Sequence, residues 1–232
     1  MEAEQRHAAL QGVRGGMMAF GKRLALVGAA LAIAWSGAAA ADDSGVLKVS
    51  DGALRSKIEY CTMCHGENGR GFRGFIPIPR LAGQQPQYLE KQIRSVVTGH
   101  RISKVMFSVL TTVEPSMWRP LAVHFSQLAA KPLGGAQPDL VATGRQIFED
   151  GVAEANVPAC MACHGQGAKG HDPVPRLAGQ LDDYVVNKLS NWSSERSQPS
   201  PGNDPARIMA VVARNLTRSQ ISAVAAYLSY LP

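Results

Sequence analysis

Apolar side chains recur with helical spacing in four stretches of the 232-residue chain, and the four stretches form two pairs. Tyr88, Leu89, Ile93 and Val96 are matched 96 residues later by Tyr184, Val185, Leu189 and Trp192, and the i, i+4, i+7 spacing lines one face of a helix. Trp118, Leu121, Ala122 and Phe125 are matched 103 residues later by Ile221, Val224, Ala225 and Leu228. Their i, i+3, i+4, i+7 spacing predicts a closing amphipathic helix in each half. Nowhere do apolar and polar residues alternate long enough to predict a sheet. The displacement changes only where loops differ: three residues fewer between His164 and Pro175, then seven more around 193–204, a stretch of Ser, Pro, Gly and Asn. The pattern predicts two small all-α domains in tandem, joined near residues 131–138, where Pro and Gly suit a linker.

The first stretch stands apart from the repeat. Lys22 and Arg23 precede an apolar run over 24–35, and small residues at 38–41 lead into Asp42 and Asp43. A basic n-region, a short h-region and an Ala-x-Ala site predict a signal peptide over residues 1–41, cleaved after Ala41, and hence export to the periplasm. The alternatives are an uncleaved anchor and a translation start at Met17 or Met18. The domains are then expected at 42–131 and 138–232, with 132–137 as linker. The 191 residues after Ala41 hold 20 basic and 16 acidic side chains, with no block of like charge. That balance, with 45% hydrophobic residues, fits ordinary globular domains and gives no support to nucleic-acid binding.

All four cysteines lie in two copies of one motif: Cys61-Thr-Met-Cys64-His65-Gly66 and, 99 residues later, Cys160-Met-Ala-Cys163-His164-Gly165. Cys-x-x-Cys-His attaches a c-type haem, each thiol bonding a vinyl group while the histidine ligates iron. Residues at i, i+3 and i+4 share a helix face, so one turn presents both sulfurs and the imidazole to one porphyrin. Two disulfides would leave the adjacent histidines unexplained. A shared zinc site runs against the repeat, and a redox dithiol calls for a βαβ pattern that is absent. Domains of this size with few aromatics have little apolar surface to bury, and a covalent haem supplies a core.

Elimination narrows the second axial ligand. Of eight methionines, Met1, Met17 and Met18 are in the leader, and Met63 and Met161 lie inside the attachment turns. Met106, Met117 and Met209 remain; Met106 and Met209 are 103 residues apart, the displacement of the closing helices. Met117 and His124 read as residues of the closing helix, His100 and His171 as loop residues, and Trp192 as core beside the porphyrin. His124 and Met117 stay as alternatives to Met106 on the first iron.

A second repeated segment, Pro79-Arg80-Leu81-Ala82-Gly83-Gln84, recurs as Pro175-Arg176-Leu177-Ala178-Gly179-Gln180. With its doubled attachment motif, doubled hexapeptide and paired downstream methionines, the chain over 45–232 resembles the dihaem cytochrome c4 family. The resemblance implies two tandem class I cytochrome c domains, each wrapped around a covalent haem c. It implies Cys61, Cys64, His65 and Met106 on the first haem and Cys160, Cys163, His164 and Met209 on the second. It further implies that Pro79 and Pro175 accept the proximal His N–H, and that Arg80, Arg176, Gln84 and Gln180 contact haem propionates. The expected role is a periplasmic carrier of single electrons rather than an enzyme. The expected partners are a membrane-bound terminal oxidase and an upstream quinol-oxidising complex or dehydrogenase, with peripheral membrane association. A cytochrome subunit of a dehydrogenase complex and a dihaem peroxidase are the alternatives. The first half departs from the family's usual ending at Val113-Glu114 and Ala122-Val123-His124-Phe125, which weakens Met106 relative to Met209.

Overall fold

The computed structural model describes residues 49–129, 131–196 and 204–232. The expected signal peptide and most of the loop around 193–204 lie outside the described residues. In the first half the order is α1 (Asp51–His65), α2 (Pro86–Val97), α3 (Lys104–Leu110) and α4 (Pro115–Gln127). The second half contains α5 (Val141–Asp150), α6 (Met161–His164), α7 (Asp182–Ser190), α8 (Ala206–Asn215) and α9 (Arg218–Tyr230). Among the described residues, β structure is confined to isolated bridges, such as Phe72 with Ile78 and its counterpart His171 with Val174.

The apolar stripes face inward as their spacing predicts. Trp118, Leu121, Ala122 and Phe125 of α4 are buried, and so are Ile221, Val224, Ala225 and Leu228 of α9. In each half the segment before α2 or α7 is pinned to the end of the closing helix: the Gly83 N–H donates to Phe125 O and the Gly179 N–H to Leu228 O. α9 begins at a capping box, Thr217 and Gln220 each satisfying the other's backbone N–H. α7 stops at Ser190, so Trp192, expected on its face, lies past the helix end.

The halves differ where the repeat gave no signal. In the first, one continuous helix, α1, runs straight into the attachment motif at its last turn. In the second, α5 ends at Gly151 and a loop over 151–160 separates it from the single turn of α6. α5 packs against α9 in the larger core, around Ile147, Phe148, Val224 and Leu228. The first half's apolar residues fall into two smaller clusters, one around Leu89, Ala122 and Phe125, the other around Val113, Trp118 and Leu121.

Candidate functional site

Each attachment motif ends its helix with the histidine buried and the second cysteine exposed. His65 and His164 are 7% and 6% exposed. The His65 Nδ1 lies 2.9 Å from the carbonyl of Pro79, and the His164 Nδ1 lies 3.0 Å from that of Pro175. A carbonyl can only accept, so Nδ1 carries the proton and Nε2 keeps its lone pair. Burial pushes both imidazole pKa values below the ordinary range, against the pull of the carbonyl. Each half thus holds one neutral, oriented imidazole, the form that binds a metal.

The backbone carbonyl of each histidine accepts from a glycine that sequence reasoning passed over. Gly71 and Gly170, 99 residues apart like the motifs, donate to His65 O at 2.9 Å and His164 O at 2.8 Å. Both have positive φ, and a Cβ would stand 2.7 Å from Ile78 O at the first and 2.5 Å from the Pro175 carbonyl carbon at the second. Only glycine admits that backbone this close to the histidine's acceptor. The signal was legible: both glycines sit five residues after the motif glycine at the repeat's own displacement.

The two hexapeptides meet each other across the boundary between halves. Gln84 accepts from the Arg176 N–H at 2.7 Å and donates to Arg176 O at 2.9 Å. Gln180 accepts from the Arg80 N–H at 2.8 Å and donates to Arg80 O at 3.1 Å. These partners differ from the propionates expected of Gln84 and Gln180. A buried amide must satisfy oxygen and nitrogen together, and the opposing backbone does both. Arg80 and Arg176 curl alike, Nε donating to Ala82 O and Ala178 O. Burial, then the charge of Arg176, lowers the Arg80 guanidinium pKa to about 10.

Behind this seam a second cluster crosses the halves. Arg101 donates to Gln92 Oε1 at 2.7 Å and to the Tyr184 hydroxyl at 2.8 Å. Arg196 lies 3.7 Å over the Trp192 ring, and the Ile102 N–H donates to Glu195 O at 2.7 Å. The sequence showed Tyr88 and Tyr184 only as helix-face positions; Arg101 and Arg196 carry no motif and went unseen.

Met106 is half-buried on α3, and Met209 is half-buried on α8 against the second core. Met117 packs instead in the cluster of Val113, Trp118 and Leu121, which Cys61 also joins. His124 is half-buried with its ring edge-on to Phe125, while His100 and His171 are exposed. The four thiols are unpaired, and burial raises the pKa of Cys61 and takes that of Cys160 to about 11. Among the described residues no three donors of the His, Cys, Asp and Glu types converge on a metal position.

The donors fit a c-type haem. Each half offers two thiols and an imidazole on one turn, with Nε2 free for iron. Arg80 Nη1 and Trp192 Nε1 are buried donors without a protein acceptor, and Arg80 also faces the like charge of Arg176. An anion is what such donors lack.

Comparison with known proteins agrees with this geometry. Residues 141–232 match the cytochrome c family model. Cytochrome c4 of Pseudomonas aeruginosa is 30% identical over 181 residues, covering 77% of this chain and 87% of that protein. The chain belongs to the cytochrome c4 family. The thiosulfate dehydrogenase electron acceptor of Thiomonas intermedia is 34% identical over 177 residues, 74% of this chain and 78% of that one. The structure of cytochrome c4 from Acidithiobacillus ferrooxidans superposes with a TM-score of 0.64 at 32% identity, covering 75% of this chain and 99% of that one. As a member of this family the protein carries two covalently bound haem c groups, one at Cys61 and Cys64 and one at Cys160 and Cys163, and its function is electron transfer. None of the described helices is long and apolar enough to cross a membrane.

Proposed function

We propose that the two haems form a one-electron relay, with His65 and Met106 on the first iron and His164 and Met209 on the second. The observation that carries this reading is the pair of buried imidazoles, each with Nδ1 committed to a proline carbonyl and each followed by a half-buried methionine in register. The haems would supply one-electron chemistry, and one imidazole with one thioether from the chain would hold each iron, a donor pair that would favour the reduced state and would leave no site for peroxide or oxygen. Pro79 and Pro175 hold the rings in one tautomer and orientation. Arg80 and Arg176 place positive charge where propionates balance it, whereas Gln84 and Gln180 serve the seam.

The protein works in the periplasm after cleavage of residues 1–41. There it takes electrons from a quinol-oxidising complex or a dehydrogenase and passes them to a terminal oxidase. A dedicated dehydrogenase subunit is the second reading, supported by the likeness to a thiosulfate dehydrogenase electron acceptor. Purification from the periplasmic fraction at native abundance separates the two: elution alone favours the free carrier, co-elution with a dehydrogenase the subunit.

Pyridine haemochrome analysis of the purified protein should return two haems per chain, and acid–acetone extraction should leave the colour with the polypeptide. Carbon monoxide should bind the reduced protein poorly. One haem per chain overturns the relay. Rapid stoichiometric carbon monoxide binding at neutral pH overturns the closed ligand sets and revives the peroxidase.

A further inference from the structure

The loops after the two attachment turns occupy equivalent positions but carry opposite charge. Arg73 and Asp172 are 99 residues apart, the displacement of the motifs themselves. Each reaches across the seam to the start of a helix in the other half, Arg73 to α7 and Asp172 to α2. Arg73 pairs with Asp182 and, at 3.2 Å, with Asp183, both in the first turn of α7, and it also donates to Gly134 O in the linker. Asp172 accepts from the Gln87 N–H at 3.0 Å and the Tyr88 N–H at 3.4 Å, in the first turn of α2.

The charges match the helix each loop meets. A helix N-terminus carries unsatisfied N–H groups and the positive end of the macrodipole, so it wants an acid. α2 has no acidic residue in its first turn, and Asp172 supplies one from the other half. α7 already has Asp182 and Asp183 there, and it meets an arginine instead. Like-with-like pairing of halves would set Asp172 against Asp182 and Asp183, and Arg73 against an uncapped positive helix end. Both arrangements are repulsive, so the two contacts admit only first half against second.

Beside Arg73 the first loop and α7 leave a cleft of about 480 Å³ lined by Phe75, Pro77, Val186 and Asn187, with Phe75 fully exposed. The Arg73–Asp182 pair is partly buried, at 30% exposure for Arg73 and 18% for Asp182, where screening is weaker than at an open surface, whereas Asp183 is 60% exposed.

We propose that Arg73 and Asp172 are positioning residues for electron transfer between the halves, a pair of oppositely charged contacts that key the two attachment turns into one relative pose. The step they serve moves one electron from the reduced group to the oxidised one, with no bond made or broken. The inference rests on the reading of the two haems as one relay.

The test uses the full dihaem protein and measures electron redistribution between the haems after partial photoreduction, the separation of the two midpoint potentials, and thermal unfolding. R73Q and D172A should each slow redistribution several-fold and change the separation, while the absorption spectrum of each ligand set stays that of the unaltered protein. R73K should recover part of the rate. Wild-type rate and separation in the R73Q/D172A double variant, even with a lowered melting temperature, would reduce the contacts to a structural role and overturn the proposal. If the double variant does not accumulate with haem, the single variants decide by the same two outcomes. Absence of redistribution in the unaltered protein is a different failure: it removes the relay and says nothing against the pose.

Discussion

Met106→Ala should open the iron of the first half, lower its potential, and allow carbon monoxide to bind at one haem per chain. Met106 and Met209 share the displacement of the closing helices, and both are half-buried on the helix that precedes the closing helix. If Met106 holds the iron, removing its soft thioether would withdraw stabilisation from the reduced state and would leave the iron one ligand short. Met117, eleven residues further along, packs with Trp118, Val113 and Leu121 in the cluster that Cys61 joins, on the side of the attachment turn. Met117→Leu should therefore leave both spectra intact and cost under about 1.5 kcal/mol, as volume-conserving apolar exchanges do. Spectra and carbon monoxide titration of the two variants decide the assignment. The reverse pair of results gives the ligand role to Met117. If neither opens an iron and His124→Ala does, the first haem is bis-histidine and its potential lies well below the second.

Gly144→Ala should cost the second half about 3 kcal/mol or more, the upper end for an overpacked core. α5 and α9 cross with no room for a methyl group: a Cβ at Gly144 would stand 1.9 Å from Ala223 O and 2.9 Å from Tyr227 Cβ. Glycine weakens a helix by about 1 kcal/mol relative to alanine, so its place inside α5 reflects packing rather than propensity. Thr143→Ala, exposed on the same turn, is the control and should stay within about 0.5 kcal/mol. Thermal unfolding followed at the haem band and by far-UV dichroism reads the difference; equal melting of the two variants refutes the close crossing. The glycine of α1 makes no such contact: a Cβ at Gly52 would meet nothing within 4 Å.

Much of the protein was readable from local spacing. The i, i+3, i+4, i+7 stripes of α4 and α9 are buried as expected, because which face of a helix turns inward is set by residues within two turns of one another. The two covalent haems followed from Cys-x-x-Cys-His for the same reason, since three donors must sit on one turn and the motif states all three; the family resemblance needed the doubled hexapeptide and the paired methionines as well. Trp192 marks where this stops. Its spacing continued the α7 stripe, but the helix ends at Ser190, since stripe periodicity carries no information on where backbone hydrogen bonding gives way to a turn.

The seam was invisible for a different reason. Gln84 and Gln180 were expected at propionates because each was read within its own hexapeptide, yet each spends its amide on the backbone of the other copy, 92 and 100 residues away. Arg73 and Asp172 carry no motif, and only the fold sets each against the opposite half's helix start. A repeat shows which positions are equivalent within the halves, and so secondary structure, attachment turns and cofactor could be derived from residues close in the chain. How one copy faces the other depends on pairings between residues far apart in sequence, and no local pattern encodes those; the folded chain alone brings Arg73 to Asp182, Asp172 to the start of α2, and the two arginines of the hexapeptides to a common boundary.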